Sequence, residues 1–412
     1  MTPSDASTPR WFVAAAGLAA FVGLTGLMLL GFMRAYPFGV DFSAYYYGAQ
    51  RVAAGADPYL KSEPAESEDL YPHMTRFLYS PISLVWTRPL AWTSIQIALI
   101  AWTLLSQITM VLLFILLART HPGAARAPWT LALAFAPWMV SAPVIHHLAV
   151  GQADLFVMAL ALVFVFRHDK TPIAAGAALA FAIWWKIYPA FLVPFALALD
   201  HRRYGKAVAW GVGLAAIGGL AGLAFLPSEW WTSWSRVVAY KSEMGNPYIV
   251  NQSVHAALLR LFDGRLGRHP LLADAPSFIR AIGPGLTLAM VGLGIGLARW
   301  MGRRGRSGPM ALLAVFAAAY PLGAKYWWVQ QFIWAVPVAA FWAMDAASGS
   351  WSRGRLIALA VFVAILFFPW HDPTQGYASV GGFVFYDRFV FAQFVFLGLV
   401  IADVRRGGPG GS

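Results

Sequence analysis

Apolar runs of roughly 17 or more residues, about the shortest helix that crosses a bilayer, recur along the whole chain with polar connections between them. A hydrocarbon core about 30 Å thick takes roughly 20 helical residues to span. The pattern predicts spans at about 11–33, 93–118, 128–144, 149–166, 172–185, 187–199, 207–226, 281–301, 309–323, 329–346, 355–370 and 386–403. The 172–199 region reads either as two short spans or as one long broken helix. The expected fold class is an all-α polytopic membrane protein with about twelve transmembrane helices, forming one domain over residues 1–412. Two long loops, 34–92 and 227–280, and a flexible Gly-rich tail, 404–412, complete the expected layout.

Composition supports this reading. Hydrophobic residues make up 59% of the chain and charged residues 12%, against about 25% charged in a soluble domain. The first apolar stretch, Trp11 to Phe32, exceeds the roughly 7–15 residues of a signal-peptide core and reads as an uncleaved span. Cysteine is absent, which removes disulfides, cysteine–zinc sites and thiol nucleophiles.

The net charge of +12 fits Arg-rich cytoplasmic loops facing anionic lipid, with no nucleic-acid partner required. With the N-terminus inside, the cytoplasmic loops hold Arg119 and Arg126, Arg167 and Lys170, Arg202, Arg203 and Lys206. They continue with Arg303, Arg304 and Arg306, Arg353 and Arg355, and Arg405 and Arg406. The short outer loops carry little beyond Lys186, Lys325 and Arg388. The long loops translocate largely regardless of their charge.

That orientation gathers Asp41, Tyr45, Tyr79, His146, His147, Gln152, Asp154, Lys186, Asn251, Gln252, His255, Lys325, Gln330 and Gln331 at the outer face. Polar groups at the ends of membrane helices line cavities and substrate paths. A short helix is expected from about Asp41 to Ala54, stopped by Gly55 and Pro58, with Asp41 and Tyr45 on one face and the small Gly48 and Ala49 leaving room for a ligand. Asp41 there is either a helix N-cap or a partly desolvated general base. Lys186, in Trp184-Trp185-Lys186-Ile187-Tyr188-Pro189, is either an interfacial anchor or a point charge for a phosphate. Glu229 to Arg236 reads as an interfacial helix, and the amides of Asn251 and Gln252 suit sugar hydroxyls. His146 and His147, with no i,i+4 His pair or HExxH, do not make a zinc site, and no phosphate loop or dinucleotide fingerprint occurs. Neither a metal nor a cofactor is expected.

Asp41 with Tyr45, Gly55-Ala56-Asp57-Pro58-Tyr59, Phe77-Leu78-Tyr79-Ser80-Pro81, Arg88-Pro89-Leu90, Gly151-Gln152-Ala153-Asp154, Trp185-Lys186-Ile187-Tyr188-Pro189 and Asn251-Gln252-Ser253 come in an order that resembles glycosyltransferase family 87 over roughly residues 36–335. The resemblance implies a GT-C class enzyme in a bacterial plasma membrane, working on the periplasmic side. Its partners would be a polyprenyl-phosphate sugar donor, most simply mannose, and a lipid or glycan acceptor. It further implies Asp41 as the base, with Tyr45 beside it, and Lys186, Lys325 and Arg76 as phosphate contacts. Tyr79, His146, Gln152, Asp154, Asn251, Gln252, Gln330 and Gln331 would line the substrate site. Two departures stand out: Asp154 occupies a position where the family often has Asn, and Trp328-Val329-Gln330-Gln331 replaces a Trp-x-His-His pattern. A different sugar, a lipid-linked sugar flippase and a non-catalytic assembly subunit are the competing readings.

Overall fold

The computed structural model describes residues 39–59, 77–120, 141–244, 251–262, 276–347, 351–367 and 387–405, together with Gly26. The expected spans at 11–33 and most of 128–144, the candidate Arg76 and the tail after residue 405 lie outside the described residues. All regular elements among them are helical; one isolated antiparallel bridge joins Asn251 to Trp328.

The helices are α1 Val40–Ala53, α2 Ser83–Thr87, α3 Ile95–Thr120, α4 Ala142–Val150, α5 Asp154–Arg167, α6 Pro172–Trp185, α7 Leu192–Phe225, α8 Ser228–Met244, α9 Val254–Phe262, α10 Pro276–Arg303, α11 Pro309–Gly323, α12 Val336–Ala347, α13 Arg353–Phe367 and α14 Arg388–Arg405. Short 3-10 turns cover Arg88–Trp92, Tyr188–Phe191 and Val329–Trp334. The expected spans at 93–118, 172–185, 309–323 and 386–403 match α3, α6, α11 and α14 to within two residues.

α3 shows why this is a membrane protein. Ile97, Ile100, Leu104, Ile108 and Leu112 form a helical stripe more than half exposed, while Leu99, Trp102, Met110 and Leu113 are buried on the other side. An apolar outer face of this extent is untenable in water and natural in lipid. α11 is the opposite case: it is apolar all round and buried from Leu312 to Ala319, so it forms the centre of the bundle. Among the described residues, Ile95–Leu117, Tyr188–Phe225 and Ile282–Arg303 are long and apolar enough to cross a membrane, and α4 with α5 would add a fourth as one bent pair.

Three breaks define the architecture. The expected loop between spans at residues 145–148 is displaced: His146 and His147 lie on α4, and the turn falls at Gly151–Ala153, where α4 and α5 meet at 116°. The reason is local. Pro143 starts α4, where its missing N–H costs nothing. Gly151 ends it in the left-handed conformation at φ 70°, with the Gly151 and Gln152 N–H groups both donating to the His147 carbonyl. The open question at 172–199 resolves into two helices, because α6 stops at Trp185 and Lys186 is extended. Within α7, Asp200 leaves helical geometry at φ −162°, ψ 92°. Its carboxylate accepts the Arg202 and Arg203 N–H groups at 3.1 Å each, so it caps a second helix running to Phe225.

The spans therefore shuttle between two ends. At one end Asp403 pairs with Arg306 at 2.6 Å and Arg355 at 2.9 Å, and Arg203 approaches Asp169 at 3.8 Å. The polar residues of the α4–α5 turn, the α6–α7 break and the segment after α11 lie at the other. The loops expected to be cytoplasmic at 167–170, 202–206, 303–306, 353–355 and 405 thus meet at one end. A further buried pair, Arg260 with Asp387, ties α9 to the start of α14, and the same guanidinium donates to the Asn251 carbonyl at 2.7 Å.

Two consequences can be measured. Gly55 and Gly151 both have positive φ, but a Cβ at Gly55 meets nothing within 4 Å while one at Gly151 would lie 2.6 Å from the Phe42 Cβ. Gly55→Ala is expected to cost only about 1–2 kcal/mol, and Gly151→Ala a further ~1–3 kcal/mol from overpacking, read as a larger drop in Tm in detergent. Asp387→Ala removes one half of a buried ion pair and is expected to cost about 3–5 kcal/mol by the same measurement.

Candidate active site

The site is assembled from helix ends. α1 begins at Gly39, whose φ of 77° lets its N–H donate to the Ala149 carbonyl at 2.7 Å. That contact fastens the start of α1 to the end of α4. Asp41 is then the second residue of α1, and no side chain caps this helix. The N-cap reading of Asp41 is thereby excluded. Its Oδ2 instead accepts the Gln152 Nε2–H at 2.7 Å, from the α4–α5 turn.

Gln152 is the junction of the site. Its Oε1 accepts from Lys186 Nζ at 2.7 Å, Tyr45 OH at 3.1 Å, the Ala153 N–H at 3.2 Å and, more distantly, Tyr79 OH at 3.4 Å. Lys186 also donates to Asp154 Oδ2 at 2.9 Å. Asp154 Oδ1 accepts the Tyr188 hydroxyl at 2.5 Å, and that hydroxyl accepts the Trp334 indole N–H at 3.1 Å. One continuous chain of bonds therefore runs from Trp334 to Asp41. It contains five of the expected site residues besides Asp41: Tyr45, Tyr79, Gln152, Asp154 and Lys186.

Burial grades this network. Asp154 and Tyr45 are fully buried and Gln152, Lys186 and Tyr188 nearly so, whereas Asp41 and Tyr79 are half-buried. Lys186 points inward to Asp154, so it is no interfacial anchor. Burial works against its charge, but Asp154, Tyr79 and Asp41 outweigh that and hold its pKa above the ordinary lysine value. Burial, reinforced by Tyr79, Asp154 and Asp41, raises the Tyr45 phenol well above its ordinary value. Tyr45 is therefore a neutral hydrogen-bond donor, and Asp41 is the carboxylate of this network that reaches the surface.

An aromatic wall shapes the opening. Tyr45 stacks on Tyr79 with centroids 4.7 Å apart and on Trp102 at 5.2 Å. The segment carrying Tyr79 is pinned by Tyr59 OH to the Tyr79 carbonyl at 2.6 Å, Trp234 of α8 to the Leu78 carbonyl at 3.3 Å, and Ser80 to the Trp184 carbonyl at 2.5 Å. The room expected beside Gly48 is taken: a Cβ there would lie 2.9 Å from the Phe77 ring. Small size at Gly48 serves packing of the 77–80 segment.

The other expected residues sit on neighbouring supports. Asn251 Oδ1 accepts the Trp327 N–H at 2.9 Å and Nδ2 donates to the Lys325 carbonyl at 3.2 Å, while Gln252 N–H donates to the Trp327 carbonyl at 2.7 Å. The Asn251 amide thus joins two backbone segments. Gln331 accepts the Trp328 N–H at 2.9 Å at the start of its 3-10 turn, and His146 shares a side-chain hydrogen bond with Gln330. Lys325 is half-buried on the same segment, whose Trp327 packs edge-on against Tyr188. Two members of the network were not expected. Tyr188 lies within the Trp185–Pro189 motif but was not singled out there, and Trp334 reads in the sequence as one apolar residue among many. Among the described residues no group of three metal-ligating side chains occurs.

The arrangement offers a half-buried carboxylate, backed by an amide, with a buried ammonium behind it. That set suits removal of a proton from an incoming hydroxyl.

The chain is 25% identical over 430 aligned positions to a polyprenol-phosphate-mannose-dependent α-(1-2)-phosphatidylinositol mannoside mannosyltransferase of Mycolicibacterium smegmatis, covering 96% of this chain and 91% of the relative. It is 26% identical over 249 positions to the protein of the same name from Mycobacterium tuberculosis, covering 55% of each. No solved structure matches. The model of glycosyltransferase family 87 matches residues 77–324, more than half of the chain and including the Gly151–Asp154 turn and Lys186, and the chain belongs to that family.

Proposed function

We propose that this protein moves a mannosyl group from a polyprenyl-phosphate donor to a lipid-borne acceptor at the periplasmic face of a bacterial plasma membrane, with Asp41 as general base. Family membership supports the reaction class, and the names of both mycobacterial relatives support the donor and the acceptor. The observation that carries the reading is Asp41 itself. It is a half-buried carboxylate held by Gln152 at the end of the bundle away from the basic loops. A twelve-span GT-C topology is part of the proposal, and the alternation of α5, α6, both halves of α7, α10 and α11 between the two ends supports it.

In the proposed reaction the acceptor hydroxyl attacks the anomeric carbon and passes its proton to Asp41. The bond from that carbon to the phosphate oxygen breaks, and the polyprenyl phosphate leaves with the electron pair. A single displacement inverts the centre, so a β-linked donor gives an α-mannoside. Asp154 is sealed behind Lys186 and Tyr188 and takes no part as a nucleophile. Asp41, Asp154 and Lys186 together carry a formal charge of −1, so the donor phosphate needs further cations. Lys325 and Arg76 fill that role here.

Asp41→Asn is expected to lower transfer by about 10²–10⁴-fold, the usual worth of a general base, with an unchanged detergent Tm. Transfer at the wild-type rate would remove Asp41 from the role. Assaying the protein against polyprenyl phosphates bearing mannose, glucose, galactose and arabinose tests the sugar. For Lys186, Lys186→Ala is compared with Lys186→Ala/Asp154→Asn. The single variant leaves Asp154 buried without its ion-pair partner and is expected to lose stability, of order 3–5 kcal/mol; the double variant is expected to regain it. If Lys186 also holds the phosphate, donor binding stays weak in the double variant. Restored donor affinity would confine Lys186 to neutralising Asp154.

A further inference from the structure

We infer that Gln152 is a positioning residue for Asp41, and that Lys186 dictates which way the Gln152 amide faces. This rests on the reading of Asp41 as the base. An amide can be turned over at almost no cost in shape, so its orientation is set by what surrounds it. One edge of Gln152 meets the Asp41 carboxylate, which accepts only. The other edge meets the Lys186 ammonium, the Ala153 N–H, the Tyr45 hydroxyl and, at 3.4 Å, the Tyr79 hydroxyl, all donors. Turned over, its NH₂ would face an ammonium and its carbonyl a carboxylate. Only the observed orientation turns both contacts into attractions.

The consequence is an N–H aimed permanently at Asp41. A donated hydrogen bond favours the ionised carboxylate, so the base is charged before the acceptor arrives. The backbone supports the same alignment. Gly151, next to Gln152, packs directly on Phe42, next to Asp41, at a distance that admits no side chain. Because the Gln152 amide is engaged on both edges and nearly buried, it acts on the substrate site through Asp41.

Among the described residues, several titratable groups face Asp41. Its own helix brings Tyr45, the 77–80 segment Tyr79 and the α6–α7 break Lys186, and behind Lys186 the α4–α5 pair carries Asp154 and His147. α3 offers Leu99 and Trp102, which are apolar, and the 3-10 turn after α2 carries Arg88, which is exposed.

The test uses the full-length protein in detergent with Gln152→Leu and the isosteric Gln152→Glu. The ionisation of Asp41 is read by infrared pH titration, subtracting the Asp41→Asn spectrum, which needs no turnover. Both variants are expected to raise the Asp41 pKa, Gln152→Glu more because it adds a like charge. With polyprenyl-phosphate mannose, kcat for Gln152→Leu is expected to fall about 100-fold, the scale of an ångström of misplacement, with donor KM unchanged and the acid limb of the pH profile moved upward. An unchanged Asp41 pKa, or a raised KM at unchanged kcat, overturns the inference and returns Gln152 to substrate binding. Wild-type transfer by Asp41→Asn would instead sink the base reading, while the infrared titration still decides whether Gln152 governs Asp41.

Discussion

A helix that ends inside or at the edge of a bilayer leaves backbone carbonyls and amides that water cannot reach, and each must find a partner. This constraint organises the protein. α4, α6 and α11 all stop at the same end of the bundle, and their irregular connections collect there. Gly151 closes α4 by folding two N–H groups back onto His147. Residues 324–328 give their backbone groups to Asn251, Gln252 and Ser253. The polar side chains needed to satisfy these ends are then already concentrated in one place, and the reactive cluster is built from the same breaks that terminate the helices.

The same constraint explains the form of the cluster. Burying an ammonium and a carboxylate costs several kcal/mol per ion, which their mutual attraction recovers only when their remaining hydrogen-bonding capacity is met. Asp154 meets that condition with Lys186 on one oxygen and Tyr188 on the other, and Tyr188 in turn accepts from Trp334. The buried half of the site is thereby rigid and electrically quiet. Asp41, at its rim, is the half-buried carboxylate, and an amide separates it from the ammonium. Two carboxylates of one composition are set apart by burial and by their partners.

Much of this was legible in the sequence, for physical reasons. Apolar length located α3, α6, α11 and α14 because a bilayer demands it, and basic loops separated the two ends. Asp41, Tyr45, Gln152, Asp154 and Lys186 were legible as polar residues at the ends of apolar runs. What the sequence could not carry was partnership. Whether Lys186 faced lipid headgroups or Asp154 depended on α6 ending at Trp185 with the next residue extended. Whether Asp41 was a cap depended on Gly39 taking that position. The amides of Asn251 and Gln152 looked alike, yet one joins backbone segments and the other faces the base. Trp334 and Tyr188 were hidden because an aromatic residue near a membrane boundary is ordinary, and only their placement around Asp154 distinguishes them.

The interruption of α7 at Asp200 bears on how the chain enters the membrane. From Leu192 to Phe225 the chain is apolar on both sides of a short polar island, Asp200 to Lys206, and an insertion machinery reading hydropathy alone meets a segment long enough for either one oversized helix or a tight hairpin. The island favours the hairpin: a capped turn with three cations resists crossing, and the positive-inside rule would hold it on the side where synthesis occurs. Every later segment takes its sidedness from that decision. Erasing the island would invert the parity of all that follows, sending the partners of Tyr188 and Asn251 to the wrong surface without altering one residue of the reactive cluster.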